Sequence, residues 1–158
     1  MKKKIIYLSF IVLIIDQISK ILCDLYLKLN KPIPIIKGFF NINYVQNEGA
    51  AWNLFSGQRF ILIIIGLVAI YVLYKFIKDF KENRRNTLAF SLLLGGILGN
   101  LLDRIFLGYV RDFLDFNIFG YNYPIFNISD ICIVLGVILL IIASIKGEDY
   151  GSSSRKKH

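Results

Sequence analysis

Residues 95–130 read GGILGNLLDRIFLGYVRDFLDFNIFGYNYPIFNISD. An apolar run ends in Asn100, Asp103 and Arg104. A short connection then carries Asp112 and Asp115, and a second apolar run opens on Asn127 and Asp130. Ionisable groups at the edge of an apolar span are costly, about 2.5–3.5 kcal/mol at a bilayer centre, so each is a functional candidate by default. Asn100, Asp103 and Arg104 stand at i, i+3 and i+4, one face of a helix; Asn127 and Asp130 stand at i, i+3 on an opening turn. Aspartates on either side of one turn between spans can meet in space.

Working outward, the 158 residues are 56% hydrophobic, which places the chain in the membrane class. Four apolar spans are expected, at 5–22, 60–76, 87–102 and 125–145. Eighteen residues at about 1.5 Å each reach about 27 Å, enough for a thin bilayer. Gly95 and Gly99 give the third span a face for close helix packing. Between the first two spans, residues 24–59 hold Pro32 and Pro34, which oppose helix, and then Phe40, Ile42 and Tyr44 alternating with asparagines. With Trp52 and Phe55 suited to an interface, this segment reads as a small sheet resting on the membrane. Residues 1–146 therefore form one membrane domain, and the Ser-rich basic tail 147–158 is expected to be disordered.

The net charge of +8 does not point to nucleic acid, because the lysines and arginines cluster beside the spans. Lys2, Lys3 and Lys4, the basic 77–86 loop and the basic tail put both termini in the cytoplasm by the positive-inside rule. The start resembles a cleavable leader, but Asp16, Gln17 and Lys20 interrupt its apolar run and Leu22 precedes Cys23, so it reads as a retained span. The lone histidine, His158, ends the chain, and Cys23 and Cys132 stand apart. That leaves no zinc spacing and no histidine-based nucleophile, and the cysteines read as buried thiols.

Carboxylates remain as the chemistry-bearing groups. Asp16 and Lys20 form an i,i+4 pair that either lowers insertion cost or orients a site. Asp130 has a second reading, as a helix-end charge favoured by the macrodipole. Alternation leaves open whether Asp112 or Asp115 turns inward. Two carboxyls at close range share one proton, which suits one to act as base and the other as acid. Such a pair needs neither metal nor cofactor. Asn47, Asn100 and Asn127 can donate to the acids or to a developing oxyanion.

Five motifs occur in order: DQISK at 16–20, NEGAAW at 47–52, GGILGNLLDR at 95–104, VRDF at 110–113 and FNISD at 126–130. Together they resemble prolipoprotein signal peptidase, also called signal peptidase II, across nearly the whole chain. The resemblance implies an α-helical integral membrane protein with four transmembrane helices and a small extracytoplasmic β-rich cradle. It further implies an aspartyl endopeptidase of the bacterial inner or cytoplasmic membrane, working near the outer face; a monomer embedded in membrane lipid is expected. Its implied substrates are diacylglyceryl-modified prolipoproteins, cut before the lipidated cysteine. Motif by motif, the catalytic pair falls on Asp112 and Asp130. Asp16, Lys20, Asn47, Asn100, Asp103, Arg104 and Asn127 fall on support positions, and Asp115 lies outside. Two departures are Arg111, where an apolar residue is usual, and Ser129, where alanine is usual. Arg111 is expected to face solvent or headgroups. The reading from another class is a small ion- or proton-coupled transporter, since intramembrane acids also mark ion paths.

Overall fold

The computed structural model describes residues 1–50 and 54–149. Among the described residues four helices are long and apolar enough to cross a membrane: α1 (Lys2–Tyr26), α2 (Arg59–Phe76, continued by a 3-10 turn to Asp79), α3 (Arg84–Phe106) and α4 (Ile128–Ile145). They alternate in direction, so the chain start, the turn after α2 and the end of α4 share one end of the bundle. Between α1 and α2 lie strands β1 (Ile33–Ile36) and β2 (Phe40–Asn47); between α3 and α4 lie β3 (Val110–Ile118) and β4 (Tyr121–Asn122). The four strands form one antiparallel sheet in chain order. This is the four-span architecture with a small β-rich cradle, and the cradle sits at the opposite end from the termini.

Helix α3 is the axle. It packs against α1, α2 and α4 and buries residues along its whole length. Its glycines make this possible. A side chain at Gly96 would put its Cβ 2.6 Å from the Ser129 carbonyl oxygen of α4, and one at Gly95 would lie 2.6 Å from Val12 Cβ of α1. Such small-residue contacts let backbones approach where no hydrophobic effect drives association. The outward faces of α1, α2 and α4 carry exposed Ile, Leu, Val and Phe, as a lipid-facing surface requires. The second helix buries only Leu62 and Leu73.

Helix α4 starts at Ile128, three residues inside the expected span, and the reason is local. Phe126 exchanges backbone hydrogen bonds with Leu114 of β3 (Leu114 N to Phe126 O 2.8 Å, the return bond 3.1 Å), so the chain is still extended there. Asn127 then caps the helix. Its side chain accepts from the Asp130 N–H while the Asp130 carboxylate accepts from the Asn127 N–H, a reciprocal capping box. The stretch between α3 and α4, expected as a loop, is thus mostly strand.

At the terminal end, residues 147–149 are held in place. Lys81 N–H donates to the Glu148 carbonyl at 2.8 Å, and Phe80 bridges Asp149 in antiparallel fashion. Residues 147–149 of the tail expected to be disordered are thus placed; its remainder, from Tyr150, and the interface residue Trp52 lie outside the described residues.

Candidate active site

Where the sheet meets the bundle, five elements deliver polar side chains to one place. Helix α1 contributes Asp16, Gln17, Lys20 and, one turn on, Asp24. Helix α3 contributes Asn100, Asp103 and Arg104; β3 contributes Arg111 and Asp112; β2 ends on Asn47; α4 begins with Asn127 and Asp130. Asp16, Lys20, Asp103, Arg111, Asp112 and Asn127 are all buried.

Asn127 brackets the two candidate acids. Its Nδ2 donates to Asp112 Oδ1 at 2.6 Å, while its Oδ1 and N–H hold Asp130 through the capping box at 3.1 and 3.2 Å. Asn47 Nδ2 donates to the other Asp112 oxygen at 2.8 Å. Asn100 Nδ2 donates to Asp130 Oδ1 at 2.7 Å, and Asn100 Oδ1 accepts from Lys20 Nζ at 2.9 Å and Asn127 Nδ2 at 3.1 Å. Three asparagines thereby orient two carboxylates, each amide in turn fixed by a further partner. Both acids line a cavity of about 300 Å³ together with the polar Asn47, Asn100 and Arg104 and the apolar Phe126, Ile133 and Val134. A neighbouring cavity of about 470 Å³ shares Asp130, Phe126 and Val134 and is otherwise lined by Phe39, Phe116, Ile131 and Leu135.

Burial pushes the Asp112 carboxyl up to about 7, and the charge of Asp130 adds to this; hydrogen bonds from Asn47 and Asn127 pull the other way. A carboxyl so placed retains a proton near neutrality while its neighbour is charged.

Behind the pair lies a layer of ion pairs. Lys20 Nζ sits 2.9 Å from Asp16 and 3.6 Å from Asp103. Asp16 also accepts from the Ser129 N–H at 2.9 Å, so the first span grips the opening turn of the fourth. Of the two readings of this pair, orientation of the site is the one the contacts favour. Arg104 reaches the Gly49 carbonyl at 2.9 Å and Asn100 carbonyl at 3.4 Å, and its Nε is buried with no hydrogen-bond partner among the described residues.

Arg111 does not face solvent or headgroups. It is 6% exposed, and its guanidinium is forked on Asp103 (3.1 and 2.7 Å) and bonded to Asp24 (2.8 Å) and Gln17 (2.9 Å). Burial works against its charge, but Asp103 and Asp24 more than offset this and raise its pKa. Sequence reasoning passed over Gln17 and Asp24. The signal was present, since Asp16, Lys20 and Asp24 repeat every four residues and so share a helix face. Asp115 lies apart from the cavity, where it accepts from Asn41 and Asn43 at 3.3 and 3.1 Å across the strand pair. Cys23 and Cys132 are buried free thiols.

A multi-pass membrane protein whose buried polar groups converge on two carboxyls at one end of a helix bundle belongs with the membrane enzymes. Residues 8–146 match the family model described as signal peptidase (SPase) II, and the chain is a member of that family of membrane proteases. It is 44% identical over 142 residues to lipoprotein signal peptidases from Staphylococcus aureus strains JH9 and Newman, covering 89% of this chain and 87% of each relative. A solved bacterial membrane enzyme superposes with a TM-score of 0.82 at 43% identity over 90% of this chain and 87% of that one. A second, also a bacterial membrane enzyme, gives 0.80 at 42% identity, covering 90% and 92%.

Proposed function

We propose that this chain removes signal peptides from diacylglyceryl-modified prolipoproteins by aspartyl chemistry, with Asp112 and Asp130 as the catalytic pair. The observation that carries the reading is Asn127, one residue whose side-chain amide donates to the Asp112 carboxyl and whose backbone N–H donates to the Asp130 carboxylate, with both acids at the wall of a shared cavity. Asp130 stands at the third position of α4, where the helix N-terminus favours a negative charge, and it accepts from the Asn127 N–H and Asn100 amide. It is the general base. Asp112, buried among neutral amides, is the general acid.

The charged Asp130 takes a proton from water as the water oxygen attacks the scissile carbonyl. Asp112 gives its proton to the carbonyl oxygen, which yields a neutral tetrahedral diol. Asp130 then passes its new proton to the leaving amine as the C–N bond breaks, and Asp112 recovers a proton from the diol hydroxyl. The pair ends as it began. Arg104 and Asn47, which line the cavity, supply hydrogen bonds to substrate carbonyls. The apolar cavity beside Asp130 suits the acyl chains, so binding energy remote from the reaction positions the bond to be cut.

Orientation follows from charge. Lys2, Lys3, Lys4, Lys75, Lys78, Lys81, Arg84 and Arg85 crowd the end of the bundle away from the site. By the positive-inside rule that end, with both termini, is cytoplasmic, and the site lies at the outer face of the bacterial cell membrane. The site is complete within one chain, which supports a monomer of one domain. Neither the family nor the fold favours a transporter.

The test is cleavage of a diacylglyceryl-modified prolipoprotein by purified protein, followed by mass. Asp112→Asn and Asp130→Asn should each abolish cleavage while keeping helical content. The double variant should be no worse than either, because groups acting as a unit are not additive. Asp115→Asn should keep most activity. Cleavage by either single variant, or loss of wild-type cleavage on adding a chelator, would overturn the two-aspartate reading.

A further inference from the structure

Residue 111 is held more firmly than any ladder requires. Asp103 Oδ2 accepts from the Arg111 backbone N–H at 3.0 Å and from its Nε at 3.1 Å, and Asp103 Oδ1 accepts from its Nη2 at 2.7 Å. Nη1 reaches Asp24 at 2.8 Å, and Asp24 also receives the Tyr44 hydroxyl of β2. Nη2 reaches Gln17 at 2.9 Å. One guanidinium therefore joins β3 to α1 and α3, and through Tyr44 to β2. Lys20, 3.6 Å from Asp103, extends the same network to Asp16.

The need for such a pin lies in the sheet. Strand β2 pairs Ile42 with Leu114 and Val45 with Asp112, so three steps on β2 answer two on β3. This irregularity sits directly beside Asp112. A one-residue slip in a strand turns every side chain to the other face. The ladder alone thus gives a weak fix on which face Asp112 occupies, at the position where that matters most. Arg111 and Asp112 are consecutive in an extended strand, so their side chains leave on opposite faces. Anchoring Arg111 into the bundle drives Asp112 toward the cavity.

We infer that Arg111 is the positioning residue for Asp112: the socket of Asp103, Asp24 and Gln17 locks β3 in the register that presents Asp112 to Asp130. This rests on the reading of Asp112 as half of the catalytic pair. The substrate is not touched, so the effect falls on kcat rather than KM.

The experiment measures kcat and KM for a diacylglyceryl-modified prolipoprotein, with thermal unfolding in the same detergent, for Arg111→Met, Arg111→Lys and Asp24→Ala. Arg111→Met should lower kcat about 10-fold or more with KM unchanged, the scale expected when a catalytic group shifts by a fraction of an ångström to about 1 Å. Arg111→Lys, which keeps the charge but not the fork, should recover part of that loss. Asp24→Ala keeps the Asp103 fork and removes the partner of Arg111 Nη1 and of the Tyr44 hydroxyl; it should lower kcat about threefold, the scale of one hydrogen bond. A folded Arg111→Met protein with wild-type kcat overturns the inference, as does a change confined to KM or to thermal stability. Should Arg111→Met not fold, Asp24→Ala decides, and its wild-type kcat overturns the inference. Wild-type kcat in these variants beside an inactive Asp112→Asn defeats this inference alone, whereas cleavage by Asp112→Asn defeats the catalytic reading and this one together.

Discussion

At one end of the bundle the helices meet through Ile5, Leu73, Ile77, Phe80, Phe90, Leu93 and Ala143; at the other they meet through Asp16, Lys20, Asn100, Asp103 and Asn127. The same helices run through both ends, so helix packing itself does not demand the polar solution. The apolar end needs only complementary shape. Phe80 meets Phe90 edge to face with ring centres 5.4 Å apart, and the segment after α4 is tied to the start of α3 by the ion pair of Arg85 with Glu148. The polar end gathers buried charges whose desolvation is repaid only by near-complete pairing. A costly arrangement of this kind at one end, with a cheap one available in the same helices, supports the proposal that the chemistry is done there.

That contrast can be broken by substitution. Phe90→Ala at the apolar end should cost about 4 kcal/mol of stability, as for a buried aromatic truncated to leave a cavity, with kcat of the folded protein unchanged. Unfolding in detergent and initial rates well below the midpoint check both halves; a fall in kcat would mean the ends are not separable. Asp16→Asn at the polar end should cost somewhat less, about 3 kcal/mol, because Lys20 keeps Asp103 and Asn100 as partners. Unlike Phe90→Ala, it should lower kcat while leaving measurable turnover, since Asp16 also holds the Ser129 N–H at the start of α4. Complete loss of turnover in a folded Asp16→Asn protein would move Asp16 into the mechanism. Glu148→Gln, which takes the charge from a half-buried contact with Arg85 at the far end, should lower stability only slightly, far less than Asp16→Asn does, and leave turnover unchanged.

The two ends also differ in how far their structure could be read in advance. Apolar spans declare themselves by length and composition, and all four appear. Their ends were harder. The α4 start is set by the Leu114–Phe126 backbone exchange, a contact between segments that no local pattern announces. At the site, motif positions and helix spacing brought Asp16, Lys20, Asn47, Asn100, Asp103, Arg104, Asp112, Asn127 and Asp130 into one list, and the structure brings all of them into one network. Arg111 was the exception. A lone arginine on a strand reads as solvent-facing, and its inward turn depends on Asp24, Gln17 and Asp103 arriving from two helices. Side-chain direction in a strand is legible only up to the choice of face, and tertiary partners make that choice.

The claim on which the rest depends is that one proton is shared at the polar end, carried by Asp112 and lent to the reaction. The pH dependence of kcat/KM for the wild-type protein tests it most directly. With its carboxyl pushed up to about 7 by burial and by Asp130, Asp112 keeps its proton below that pH and loses it above. The general acid is then gone, so activity should fall as pH rises through about 7; it should also fall in acid, as the second carboxyl takes up a proton. A kcat/KM that stays level from about pH 5 to about pH 9, with the protein folded throughout, would contradict a shared-proton pair.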